Sequence, residues 1–195
     1  EIVPLEADRK NYDSYGNIDM AVLQTLRAKV KAAGLWAPQI PREQGGLGYG
    51  PTGMAVLYEA MNYSIFGPVA FNCAAPDDGK MYILNKVANQ AQKDRWLTPI
   101  INGDVRSSFA MTEPAPGGGS DPSMIQTTAK RVNGKWVING RKWYITGAGE
   151  AAHFILMAKT GDGARDGLTA FLFHRDDPGW RIERRIGIMG PEEHG

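Results

Sequence analysis

The 195 residues carry 22 basic and 21 acidic side chains for a net charge of +1, with 43% hydrophobic and 22% charged residues. That length can bury one large core or two small ones without metals or disulfides, and the charge balance excludes a general attraction to nucleic acid or to anionic membrane. Cys73 is the only cysteine, so an internal disulfide is excluded, a reducing compartment is expected, and the thiol is read as a small buried residue. The N-terminal EIVPLEADRKNYD has charges where a signal peptide needs its apolar core, and no apolar run approaches bilayer-spanning length. A soluble intracellular protein is expected.

Residues 17 to 102 read as helical. Ile18, Val22, Leu26 and Val30 recur at i+4 while Gln24, Arg27 and Lys31 point elsewhere, with Asn17 able to cap the start and Gly34 the end. Met54, Leu57, Tyr58 and Met61 form a second apolar stripe, closed off by Gly67-Pro68. Pro76-Asp77-Asp78 opens a third helix through Met81, Leu84 and Val87. Asn89 and Gln92 make a capping-box start for a fourth, which buries Trp96, Leu97, Ile100 and Ile101 and stops at Asn102-Gly103.

After residue 103 helical spacing gives way to short runs rich in β-branched and aromatic residues, at 109–111, 125–129, 136–138, 143–145, 154–157 and 168–173. Asn133-Gly134 and Asn139-Gly140 each lie between such runs and suit type I′ hairpin turns. The fold class is therefore α+β: an all-helical domain over residues 1–103 and an antiparallel, barrel-like β domain over 104–195. Trp136 and Trp143 are assigned to the sheet and its core.

FAMTEPAPGGGSD, residues 109–121, begins with the first of these runs and ends short of the second. It lacks the lysine and following helix of a Walker loop, and strand-like residues follow it where a Rossmann fingerprint needs a helix. Two readings stay open: an anion nest of backbone N–H groups flanked by the Thr112 and Ser120 hydroxyls, or a solvent-exposed linker. His153, His174 and His194 show no zinc spacing with Cys73, so no metal is expected, and the paired acids Asp77-Asp78 and Glu192-Glu193 are assigned to helix ends or solvent.

Four stretches, GLWAPQIPREQGGLG (34–48), AQKDRWLTPIINGDVRSSFAMTEP (91–114), GGGSD (117–121) and INGRKWYITGAG (138–149), together resemble the acyl-CoA dehydrogenase family over nearly the whole chain. FNCAAPDDGKM (71–81) is similar to a subgroup favouring longer or unusual acyl chains. The resemblance implies FAD as cofactor, with Phe109, Met111 and Thr112 along the pyrimidine edge of the flavin. It implies Ser120 near the FAD pyrophosphate and the thioester substrate, Tyr144 packed on the flavin, a backbone contact from Ile145, and the Thr146 hydroxyl beside flavin N5. Two departures stand out: Tyr144 occupies a position where tryptophan is common, and Ala115-Pro116 lengthen the glycine loop.

The implied reaction removes hydrogen across the Cα–Cβ bond of an acyl-CoA to give a 2-enoyl-CoA, hydride passing to flavin N5 while a glutamate takes the α-proton. That glutamate belongs to a C-terminal helical bundle in the family, so no catalytic base is assigned within 1–195, and these residues alone are expected to bind FAD weakly and not to turn over. An electron-transfer flavoprotein is the implied electron acceptor and a homodimer or homotetramer the implied assembly. The implied location is the bacterial cytoplasm, or the mitochondrial matrix or peroxisome in a eukaryote. An acyl-CoA oxidase on the same fold and a non-catalytic acyl-CoA- or partner-binding remnant stay open as alternatives.

Overall fold

The computed structural model describes residues 1–119, 121–163 and 167–190. One compact unit is Glu1–Val105 and a second is Arg106–Met189. No helix among the described residues is long and apolar enough to cross a membrane.

In the first unit, helix α1 (Met20–Ala32) is capped by Asp19, whose carboxylate accepts from the Ala21 and Val22 N–H groups; the expected cap, Asn17, is buried instead. Its buried face is Leu23, Leu26, Arg27 and Val30, so the stripe is rotated from the expected one. Leu23 and Leu26 pack with Phe66, Val69 and Ala70, the last two on a short helical turn, Gly67–Ala70, that supplants the expected Gly67-Pro68 break. Helix α2 (Pro51–Met61) buries Met54 and Met61 against Cys73. Burial pushes the Cys73 thiol up to about 12, so it stays protonated and packs as an apolar residue. Helix α3 (Asp77–Val87) buries Asp77, Lys80, Met81 and Leu84, and its stripe closes one turn before Val87, which is exposed.

Helix α4 is a composite of Gln90–Gln92, a π-helical stretch Lys93–Leu97 and Thr98–Asn102. The Asn89–Gln92 capping box forms as expected, and Trp96, Leu97, Ile100 and Ile101 are all buried. Pro99 has no N–H to offer the carbonyl four residues earlier, which accounts for widened turns just before it. The last carbonyls of α4 are claimed by side chains from elsewhere in the unit. Asn72 Nδ2 donates to Ile100 and Ile101 at 3.0 Å, Trp36 Nε1 to Ile101 at 2.8 Å, Lys31 Nζ to Asn102 at 2.8 Å and Arg27 Nη1 to Gly103 at 3.0 Å. This explains why Arg27, expected to face solvent, is buried: acceptors otherwise orphaned at a helix end draw the guanidinium inward.

The second unit is built on one sheet of five strands: β1 (Ser107–Ala110), β2 (Thr128–Val132), β3 (Lys135–Asn139), β4 (His153–Lys159) and β5 (Leu168–His174). Along its main path the order is β1-β4-β2-β3, with β5 paired to β4. The α+β class is as expected; the antiparallel, barrel-like arrangement is not. β1 runs parallel to β4, β2 meets β4 in parallel at the single pair Thr128–Lys159, and the sheet does not close among the described residues. The parallel pairing is possible because more than enough chain separates β1 from β4 for a crossover connection.

Only one of the two expected Asn-Gly turns forms. Asn133 (φ 51°) and Gly134 (φ 77°) join β2 to β3 in antiparallel register, as a type I′ turn requires. At Asn139-Gly140 the chain leaves the sheet, because the space a side chain would take at Gly140 is filled by Thr127, whose Oγ1 would lie 2.2 Å from an added Cβ. The 143–145 run, expected to be a strand, is irregular, and Trp136 and Trp143 are partly exposed and not core residues. Trp136 packs edge-on to Phe171 at 5.4 Å.

Gly140→Ala is expected to lower the stability of the second unit by about 1 to 3 kcal/mol, because Thr127 is itself fixed by hydrogen bonds and cannot give way. Denaturant midpoints of the two proteins check this; equal midpoints would show that the close approach is not required.

Candidate functional site

Two segments about thirty residues apart are stitched together at the end of β1. The Trp143 N–H donates to the Thr112 carbonyl at 3.0 Å, and Lys142 Nζ to the Met111 carbonyl at 2.8 Å. Ser108, fully buried in β1, donates from Oγ to the Thr146 carbonyl at 2.5 Å. The chain running 108–113 is therefore held beside the chain running 142–146.

Glu113 sits at the centre of this junction. Its carboxylate accepts from the Gln126 N–H at 2.6 Å, from the Thr127 N–H at 3.0 Å, from the Thr127 hydroxyl, and from Lys142 Nζ at 2.7 Å. Both partners of the ion pair are removed from water, with side chains 3% exposed for Glu113 and 10% for Lys142. Burial alone would raise the Glu113 carboxyl, but the bonds from Lys142, Thr127 and Gln126 outweigh it and hold the group below its ordinary value of 4.5. For Lys142 burial is the larger influence and Glu113 offsets it only in part, so the ammonium is held below its usual range. A buried carboxylate with a perturbed pKa invites assignment as a general base. Four donors already claim Glu113, and its affinity for protons is lowered, so its role is to tie the segments together.

The glycine run is packed. Gly117 lies against Glu113, Gly118 against Met124 and Gly119 against Thr112, and an added Cβ would come within 2.6, 3.0 and 2.8 Å of those side chains. The Gly118 carbonyl accepts from the Glu113 N–H at 3.3 Å and the Gly117 N–H donates to Pro114 at 2.9 Å. A slack linker is thereby excluded for residues 113–119. Only Ala115 and Pro116 at the tip are exposed.

Of the residues expected at the site, Phe109, Met111, Thr112 and Thr146 are half-buried and Ile145 is buried. Tyr144 is 50% exposed and adopts φ 49°, a left-handed conformation costly for a bulky side chain. Its ring stands edge-on to Trp143 at 5.1 Å. Ser120 lies outside the described residues, as do His194, Glu192 and Glu193. The hydroxyls of Thr112 and Thr146 donate to no described residue, and the N–H groups of Tyr144, Ile145 and Thr146 reach no described backbone carbonyl. Nothing in the sequence marks Ser108, and nothing marks the Glu113–Lys142 pair beyond its opposite charges, since Glu113 reads there as part of a strand stop.

The model of the acyl-CoA dehydrogenase N-terminal domain matches residues 3–104, and that of the middle domain matches residues 108–194. The chain belongs to the acyl-CoA dehydrogenase family. It is 37% identical over 182 residues to "Probable acyl-CoA dehydrogenase FadE2" of Mycobacterium tuberculosis, a match covering 89% of this chain and 43% of that protein. Among solved structures, butyryl-CoA dehydrogenase from Megasphaera elsdenii is similar with a TM-score of 0.74 at 26% identity, over 98% of this chain and 49% of that one. PigA, solved with FAD and proline, is similar with a TM-score of 0.70 at 27% identity, over 84% of this chain and 43% of its own. The chain thus spans less than half the length of these acyl-CoA dehydrogenase relatives.

Lys142→Met is expected to destabilise this middle-domain unit by about 3 to 5 kcal/mol, because it leaves a buried carboxylate without its counter-charge. The lowered Glu113 pKa sets a sign for acid: its contribution is complete above the ordinary value of 4.5 and is lost as pH falls through the folded value. Glu113→Gln should therefore flatten the acid limb of the stability–pH curve. Unfolding midpoints from neutral to acid pH for both proteins test this, and parallel curves would contradict it.

Proposed function

We propose that residues 1–195 form the helical and flavin-contacting parts of an FAD-dependent acyl-CoA dehydrogenase, which oxidises the Cα–Cβ bond of an acyl-CoA thioester to the 2-enoyl thioester. The observation that carries the reading is the meeting of 108–113 with 142–146, which brings hydroxyl and N–H groups without a described acceptor into the same junction as the exposed Tyr144 ring. That donor set suits a flat heterocycle with hydrogen-bond acceptors along its edge and a face for stacking. When bound, FAD supplies the acceptor for the hydride that leaves the β-carbon.

The chain's own residues then divide the work. Thr112 and the backbone around Phe109 and Met111 present donors to the pyrimidine edge, where negative charge gathers on reduction. The Thr146 hydroxyl faces the N5 side, Ile145 offers its backbone, and the Tyr144 ring covers part of a face. Ser120 is assigned, on the family resemblance, to the pyrophosphate and thioester. Glu113 holds these donors in place before ligand arrives, so little reorganisation is needed when charge develops. The α-proton goes to a glutamate that the resemblance places in a C-terminal helical bundle, and no residue of 1–195 is assigned that step. Electron-transfer flavoprotein as acceptor and a homodimeric or homotetrameric assembly rest on the same resemblance, as do weak FAD binding and absent turnover for residues 1–195 alone.

Thr146→Val in the full-length holoprotein is expected to slow flavin reduction by an acyl-CoA on the order of tenfold to a hundredfold, the effect of removing one hydrogen bond to a charged group. Anaerobic stopped-flow absorbance reads the rate. An unchanged rate with flavin still bound would remove Thr146 from the site.

A further inference from the structure

We propose that Arg175 is a positioning residue for the flavin-facing segment 144–146, an inference that rests on the flavin reading above. Just after Thr146 the chain makes a tight turn in which the Ala148 N–H donates to Ile145, and those of Glu150 and Ala151 to Gly147, at 2.9 to 3.1 Å. Such a turn ends, like a helix, with carbonyls that have no partner of their own. The Arg175 guanidinium takes three of them: Nη2 donates to Ala148 at 2.6 Å and Gly149 at 2.8 Å, and Nε to Ala151 at 2.7 Å. A planar fork matches that convergence where the single ammonium of a lysine does not.

Arg175 is itself fixed on both sides. It follows directly on the last residue of β5, and its N–H donates to the Ala152 carbonyl at 2.8 Å. Trp180 Nε1 donates to the Arg175 carbonyl at 2.8 Å, and the guanidinium stands 5.7 Å from the Trp180 ring centre. That ring in turn packs edge-on to Phe154 and Phe173, which stack on one another with centroids 4.6 Å apart. A second arginine, Arg185, holds the same turn through Glu150 at 2.7 Å. The turn is thus anchored to the β4–β5 pair. Thr146 is fixed from one end by Ser108 and from the other by the turn that Arg175 closes. Slackening the turn frees the Thr146 hydroxyl and the neighbouring N–H groups to wander from one geometry, and groups so placed act only when held.

The test compares wild type with Arg175→Met and Arg175→Lys in the full-length holoprotein. It reads FAD dissociation by flavin fluorescence, flavin reduction potential, and amide hydrogen exchange at residues 147–151. Expected for Arg175→Met are faster exchange in the turn, FAD binding weakened by about tenfold and a shifted potential. Arg175→Lys, which keeps the charge but can reach only part of the three carbonyls, should lie between wild type and Arg175→Met in exchange, affinity and potential alike, and it carries the test if the methionine variant does not fold. Faster exchange with affinity and potential within twofold of wild type would make Arg175 a structural clamp and overturn the inference alone. Unchanged exchange would overturn it too. Wild-type protein that holds no flavin after reconstitution would overturn the flavin reading and this inference with it.

Discussion

A carboxylate and an ammonium, taken almost completely out of water 2.7 Å apart, fix the geometry of the second unit. Glu113 collects the N–H groups of Gln126 and Thr127 at the approach to β2, and Lys142 collects the Met111 carbonyl at the end of β1. One ion pair thereby joins three stretches of chain that the sheet hydrogen bonds leave apart. Replacing such a pair by apolar groups of the same volume is often harmless to stability, whereas breaking it from one side is not. What the pair contributes here is a single arrangement of the surrounding backbone, including the donors assigned to a cofactor.

The helical unit solves a similar problem differently. There the exposed ends of backbone hydrogen bonding, the last carbonyls of α4, are met by an amide, an indole, an ammonium and a guanidinium drawn from α1, from Trp36 and from Asn72. In both units a buried polar side chain is explained by the acceptor or donor that would otherwise go unmet.

Helix positions were readable in the sequence because they depend on local periodicity and caps: the Asn89–Gln92 box and the buried set of α4 are as the spacing predicts. Which face of α1 turned inward was less so, since Arg27 is buried for the sake of carbonyls more than forty residues away. The sheet was harder still. Asn-Gly specifies a turn only if both strands have room, and at Gly140 the space belongs to Thr127. Parallel pairing of β1 with β4 leaves no local mark. The likeness of FAMTEP and KWYIT to a family points to the two segments that meet at the candidate site. Lys142, Ser108 and Arg175 carry no such signal, because a residue that holds another in place shows its purpose only through its partners.

The same loop that had two readings in the sequence also separates what can vary from what cannot. Its three glycines are fenced by Glu113, Met124 and Thr112, while Ala115 and Pro116 project into solvent. Extra residues at that tip lengthen the loop without passing between the fenced positions and their neighbours. Evolution can therefore adjust the reach of the loop and leave its base alone, much as a handle can be changed without recutting the blade.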